Sequence, residues 1–358
     1  MRKVIKLLLA LSALFCVFQI TANSSVKSDK ARRLFYVVLN GKIGFIDKSG
    51  RVVIKPQFSV IDDFSEGLAL VSWGSDYGFI DETGKVIAKP QYDYSWGFRE
   101  GFAGVQIRDK WGFIDKGGRL TIKFKYVDAG SFSEGIAPVA ISENGAIKFG
   151  YIDKTGNIVI RPQFVYADGF SEGMAEVILE GSFSPWEANL RLVEGKTGYI
   201  DKSGKVVIEP QFDEACGFSE GLACARVGEQ LTGKWGYINK KADFVIPQQF
   251  DGASSFSEGL AAVAISTDRY SRGKYGYINS LGQIVIPLQY SDAAPFSEGL
   301  AATEMNGKWG YVDRTGKTVV EPQFDYTYGF HGGLAMVLID DKFGYINPKG
   351  EYIWKPTK

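Results

Sequence analysis

The chain has 358 residues, of which 41 are basic and 41 acidic, with 43 glycines and 14% aromatic residues. That charge balance excludes the broad basic surface needed to neutralise phosphates, so nucleic acid is not an expected partner. One histidine and three cysteines form no set with zinc-ligand spacing, and no glycine-rich phosphate loop opens a helix, so neither metal nor cofactor is expected.

Taken in order, residues 1–22 read as a secretory signal. Arg2, Lys3 and Lys6 precede the apolar run Leu7 to Phe18, and Ala22 is a suitable small residue before a cleavage point. The run falls short of the roughly 20 residues a comfortable membrane span requires, although an uncleaved anchor is the competing reading. Lipidation of Cys16 is disfavoured by bulky Phe15. The expected location is therefore secreted or periplasmic, with no membrane span after cleavage. Residues 23–33 read as a flexible leader, locally basic from Lys27 to Arg33. Cys216 and Cys224 would survive processing into an oxidising compartment, where a bridge is one option and two ordinary small buried residues the favoured one.

Residues 34–358 are one unit copied nine times. Its key glycine recurs at Gly44, Gly78, Gly112, Gly150, Gly198, Gly236, Gly276, Gly310 and Gly344. Phe or Tyr always follows it, then Ile or Val, then Asp or Asn. Six places on comes a second glycine, broken only at Ala242, then an apolar run, usually a proline, an aromatic, and Phe-Ser-Glu-Gly-Leu-Ala or a close variant. A residue present in every copy serves what every copy needs, so such a pattern specifies architecture better than chemistry.

Three copies carry the tripeptides Lys110-Trp111-Gly112, Lys234-Trp235-Gly236 and Lys308-Trp309-Gly310. Elsewhere the tryptophan slot holds Ile43, Tyr77, Phe149, Thr197, Tyr275 or Phe343. Over essentially the whole of residues 34–358 the chain resembles the WG-repeat (KWG-repeat) family, widespread in bacterial proteins. The resemblance implies a β-rich repeat scaffold from a family whose members mostly lack an assigned activity. It marks Trp111, Gly112, Trp235, Gly236, Trp309 and Gly310 as structural repeat positions.

The residues themselves agree. Alternation around the key glycine has the period of a pleated strand. The Asp-x-x-Gly that follows is a tight turn, the Val/Ile run a return strand, and the proline ends pairing because it has no amide hydrogen. With the upstream Leu-Ala-x-Val strand, each unit is a three-stranded meander. A glycine between two aromatics implies a close approach, and the expectation is an aromatic ring from the adjoining unit lying over it. The expected fold is an all-β tandem array of nine such meanders stacked as an open solenoid. A β-propeller is the alternative, which a fourth short strand within 58–64 would favour.

Length variation is confined to the loop before each key glycine, and four consecutive middle units carry enlarged loops. Insertions clustered on one face of a repeat array mark a candidate binding face. The largest insert presents Phe183, Trp186, Glu187 and Arg191, and a later one Asp268, Arg269, Tyr270 and Arg272. Aromatic and arginine side chains of this kind anchor protein partners. Aromatics outside the repeat register (Trp73, Tyr94, Trp96, Trp186, Tyr270) are the candidates for stacking on a sugar.

His331 stands in a serine slot with no orienting partner nearby, which removes the constellation a nucleophilic triad needs. The turn acids and the Glu of Ser-Glu-Gly form two ladders. Three of the nine turn positions are Asn, which suits capping and not metal binding. The leading expectation is an exported, non-enzymatic scaffold binding a protein or peptide through the middle loops. A cell-wall or polysaccharide binder is the alternative, and a hydrolase using ladder carboxylates comes last.

Overall fold

The structure, a computed structural model, describes residues 33–357 apart from 61, 144, 188–189, 230–231 and 267–272, and gives the backbone alone for 183–194 where these are described. The signal segment 1–22 and the leader up to residue 32 lie outside the described residues.

Nine small antiparallel sheets follow one another along the chain, and among the described residues there is no helix. Blade 3 shows the plan. Tyr94–Ser95, Phe102–Ile107, Lys110–Asp115 and Leu120–Tyr126 pair in that order from the inside outward. The second strand is buried over its middle, whereas the outermost alternates exposed and buried residues. Numbered by chain order, the blades occupy 34–58, 59–92, 94–126, 128–164, 166–212, 214–250, 252–290, 292–324 and 326–357.

The meander expected from the sequence is present as the second, third and outer strands. The fourth, innermost strand comes from the segment between the proline-aromatic end of one repeat and its Phe-Ser-Glu-Gly. In blade 2 it lies within 59–62, where the amides of Ser59 and Asp62 reach the carbonyls of Ser72 and Leu70. Inner strands are two residues long and end on small side chains (Ser95, Ala129, Ala167, Ala215, Ala253, Ala293, Thr327), while outer strands run to seven residues. Each sheet is thus a wedge, and wedges packed side by side close a ring.

Blade 9 returns to blade 1. Phe35, Val37 and Ile46 share a buried cluster with Leu334, Met336 and Tyr345, and the Phe35 and Tyr345 rings lie 5.5 Å apart. The protein is therefore a nine-bladed propeller: the alternative arrangement is the one adopted, and the open stack is not. The taper is the physical reason.

The key glycine also has a different cause from the one expected. Between Tyr151↔Ile160 and Phe149↔Phe164 the outer strand carries extra residues, so it bulges over the third strand. A Cβ on Gly150 would lie 2.5 Å from the Ile160 carbonyl oxygen and 2.6 Å from the Pro162 nitrogen. The same crowding meets Gly44, Gly78, Gly198 and Gly310. The approaching group is backbone of the same blade, not an aromatic ring of its neighbour. The flanking aromatics point away and are buried, Phe45, Phe79, Phe113 and Tyr199 being wholly so.

The structure joins Cys216 to Cys224 by a disulfide, with Cα atoms 5.3 Å apart across the two inner strands of blade 6. The reading of two unbridged small residues gives way, because the ladder bond from the Cys216 amide to the Cys224 carbonyl sets them side by side.

One side-chain exchange run in both directions checks the glycine argument. Gly198→Ala drives a methyl into the Ile208 and Pro210 backbone and should cost about 1–3 kcal/mol or more. Ala242→Gly, at φ +66°, relieves a left-handed alanine and should change stability by less than about 1 kcal/mol either way. Thermal and urea denaturation of the two variants read the difference.

Candidate functional site

The repeated carboxylates come first, because they are the densest chemistry in the sequence. Each turn Asp or Asn caps its own hairpin: Asp153 Oδ1 accepts the amides of Thr155 and Asn157, and Asn279 Oδ1 those of Leu281 and Gln283. These bonds to the charged form, led by the Thr155 hydroxyl, hold the Asp153 carboxyl below the usual range.

The Glu of Ser-Glu-Gly does something the sequence did not disclose. All seven (Glu66, Glu100, Glu134, Glu172, Glu220, Glu258, Glu298) adopt a left-handed φ of 50–55°. A side chain there costs about 1 kcal/mol or more. The carboxylate reaches into the next blade and accepts the amide of its turn glycine, as Glu66 does from Gly101 at 2.9 Å and Glu258 from Gly299 at 3.0 Å. Lysines of that next blade pair with the same groups: Lys154 with Glu100 at 3.1 Å and Lys202 with Glu134 at 2.9 Å.

The preceding serine works in parallel, Ser65 Oγ donating to the Phe98 carbonyl and Ser219 Oγ to that of Phe256. Together these groups form a latch from each of blades 2–8 to its successor. Two slots depart from it. Arg99 replaces the serine in blade 3, and His331-Gly332 replaces Ser-Glu in blade 9. Burial and neighbouring Arg33 hold the His331 imidazole below its ordinary value.

Acids at slots that mostly hold uncharged residues lie on the inner segments. Asp62 and Asp63 of blade 2 stand in slots that elsewhere carry small residues, Trp96, Asp168 or Tyr328. Both are solvent-exposed, yet desolvation pushes their carboxyls up, Asp63 to about 6 with Asp62 adding repulsion. Across the ring in blade 5, burial and then Asp168 raise the Glu176 carboxyl well above its usual range. Comparing blades 2–9 slot by slot would have found these acids, since Asp63 and Glu176 stand alone in their columns and Asp62 shares its column with Asp168 only.

The enlarged loops all join second to third strands, so ring geometry sets them on one face as an arc over blades 4–7. The largest folds as a hairpin, Ser182–Glu187 against Leu190–Glu194. Phe183, Trp186 and Glu187 therefore fall on its first strand and Arg191 on its second. Asp268, Arg269, Tyr270 and Arg272 lie outside the described residues. The loop roots are pinned. Asp213 accepts the Gly228 amide at 2.8 Å and pairs with Lys196 at 2.6 Å, and Lys196 is the first cause that holds its carboxyl low.

Of the out-of-register aromatics, three are consumed by packing. Trp73 sits edge-on to Phe58 at 5.0 Å, Tyr94 lies 5.9 Å from Trp111, and Trp96 stacks on Trp111 at 5.5 Å while donating to the Ala129 carbonyl. Trp111 is fully buried, Trp309 nearly so, and Trp235 is half-buried beneath Arg226.

Two outcomes follow. Glu134→Ala should cost about 1–2 kcal/mol by stripping the Gly173 amide, against about 0–1 kcal/mol for Lys202→Ala, whose ion pair is exposed. Chemical denaturation compares them. The folded-state pKa of Asp63 lies above its unfolded value, so its charge penalises folding above pH 6 and not below about pH 4. Asp63→Asn should therefore raise the melting temperature at pH 7.5 and leave it unchanged near pH 4.

No curated protein matches the chain. Among solved structures, it resembles that of a eukaryotic initiation factor, at TM-score 0.62 and 10% identity over 90% of this chain and 95% of that one, which speaks to the fold alone. Kluyveromyces lactis Hsv2 aligns at TM-score 0.32 and 12% identity over 79% of this chain and 87% of that one. The family model for the WG containing repeat matches eight times, at residues 43–72, 77–111, 111–143, 149–182, 198–230, 235–265, 275–309 and 309–343. Those matches span most of the ring, and the chain belongs to the WG-repeat family.

Proposed function

We propose that the ring is an exported, non-enzymatic scaffold that holds a protein or peptide partner against the enlarged loops of blades 4–7. The observation that carries this reading is the contiguous arc of insertions on one face, with its largest member built as a hairpin. A rigid ring presenting adaptable loops is a common division of labour in recognition. Phe183, Trp186, Glu187 and Arg191, with Asp268, Arg269, Tyr270 and Arg272, supply the aromatic and arginine chemistry that anchors protein partners.

The Cys216–Cys224 bridge supports the export reading, since disulfides persist in oxidising compartments. The use of the ladder carboxylates in caps and latches argues against hydrolysis by them. The polysaccharide reading is weakened because Trp73, Tyr94 and Trp96 are occupied by internal contacts.

Deletion of residues 181–192 tests the proposal. The immobilised wild-type chain should enrich a discrete partner from a solubilised envelope fraction. The deletion should lose that capture while its circular dichroism and melting temperature stay close to wild type. Retained capture by a folded deletion variant would reject the loops as the docking surface.

A further inference from the structure

The outer strand of each blade is hydrogen-bonded on one side to the third strand, so its other side is a sheet edge on the rim of the ring. Such an edge presents backbone donors and acceptors to any extended chain that meets it. Eight of the nine outer strands carry a proline, at the slot of Pro56 or, in blades 6 and 7, one place earlier at Pro247 and Pro287. Proline has no amide hydrogen to offer an added strand. Blade 3 is the exception. Its outer strand Leu120–Tyr126 reads Leu-Thr-Ile-Lys-Phe-Lys-Tyr, with Phe124 in the proline slot and every amide hydrogen in place.

The side chains of that edge are set apart as well. Phe124 packs into the joint with blade 2, against the cluster that holds Phe79, Tyr92 and Phe98. Lys123 and Lys125 flank it, both exposed and neither in an ion pair among the described residues. Nearby Asp115 is already held by Arg119 at 2.7 Å. The slot of Lys123 is filled by exposed Lys89 and Arg161 in the two adjoining blades, whereas blades 5 and 8 carry Glu209 and Glu321 there. Lys125 stands where blades 2 and 7 have a glutamine that donates to the tyrosine after it, Gln91 to Tyr92 at 3.4 Å and Gln289 to Tyr290 at 3.1 Å. In blade 3 the ammonium instead lies 5.0 Å from the Tyr126 ring centre, and the buried Tyr126 hydroxyl has no hydrogen-bond partner among the described residues. The lysine thus sits there at a local cost.

We propose that the rim edge of blade 3 docks an extended acidic segment of a partner polypeptide, which adds beside Leu120–Tyr126 as a fifth strand and sets its carboxylates against Lys123 and Lys125. Backbone pairing gives affinity in such an addition and the side chains give selectivity. A second copy of this chain is the wrong occupant, because antiparallel pairing of two such edges brings lysines against lysines. The chain's own residues 1–32 are equally unsuited, with one acid, Asp29, against six bases. The lysines therefore repel both and admit an acidic strand. The site lies on the rim of blade 3 and goes beyond the loop reading.

The test uses the full chain and a fluorescein-labelled peptide, Thr-Glu-Val-Glu-Thr-Val, read by fluorescence anisotropy. Saturable binding is expected, with affinity lowered about tenfold or more in Lys123→Gln/Lys125→Gln. Phe124→Pro, which installs the residue most other blades hold in that slot, should abolish binding while the melting temperature shows a folded ring. Should that variant not fold, the lysine pair and the same peptide N-methylated at alternate amides decide, and the methylated peptide should not bind. Binding should be unchanged on deleting 181–192, which separates this site from the loops. No binding to the wild-type chain, equal binding of the lysine counterpart of the peptide, or undiminished binding to the double Gln variant or to folded Phe124→Pro would overturn the proposal. A wild-type dimer that Phe124→Pro converts to monomer would also overturn it, by assigning the edge to a second copy.

Discussion

The ring depends on one contact repeated around it: the aromatic after eight of the nine key glycines meets the Phe that opens the next blade's Phe-Ser-Glu-Gly or its variant. Eight such pairs, from Phe45–Phe64 through Tyr311–Phe330, have ring centroids 4.8–5.1 Å apart. A sheet of three or four short strands cannot exclude water from its own faces, so it is stable only when a neighbour covers them. The buried clusters accordingly straddle blades, as where Phe45, Ile54 and Phe58 of blade 1 close on Ala69, Val71 and Ile80 of blade 2. In five blades the aromatic is a tyrosine whose hydroxyl also donates to an inner-segment carbonyl of the next blade, Tyr199 to Cys216 at 2.8 Å and Tyr277 to Ala294 at 2.7 Å. Burial deprives each hydroxyl of water, and the carbonyl restores a partner.

The polar latch follows from the same geometry. Once the Phe is seated, the turn beside it lies against the preceding blade, and its amide and carbonyl need partners there. Ser supplies a donor and Glu an acceptor, which explains why a left-handed slot that would suit Gly or Asn keeps Glu instead. Carboxylates that looked available for chemistry are thereby committed to the joints. The acids left over are those that break the pattern on the inner wall, and that is where the ring departs from pure repetition.

Much of this was legible in the sequence, and the failures have physical causes. The nine units, their three longer strands, the turn-capping Asp and Asn and the buried tryptophans all follow from period and turn chemistry that act within one unit. Ring closure did not, because it turns on a two-residue strand whose side chains, such as Ala129 or Ala253, carry no hydrophobic period. The close approach at Gly150 was foreseen but assigned to the wrong group, since a bulge that folds Pro162 back over its own sheet leaves no mark on spacing. Asp62, Asp63 and Glu176 were hidden by reading the consensus and not its exceptions. The enlarged loops were found as loops, but Asp268, Arg269, Tyr270 and Arg272 have no described placement to weigh.

The central claim is that blades are held by their neighbours, through an aromatic pair present at every joint except that between blades 9 and 1, where Phe35 meets Tyr345 instead. Residue-resolved amide hydrogen exchange under native conditions measures this most directly. Ladder amides of Leu34–Leu39 and Ala335–Ile339, which flank the seam, should open at markedly lower free energy than those of Ile136–Glu143 or Ala223–Val227. Seam strands as protected as those of blades 4 and 6 would contradict the account, because closure would then not depend on the aromatic pair and the latch.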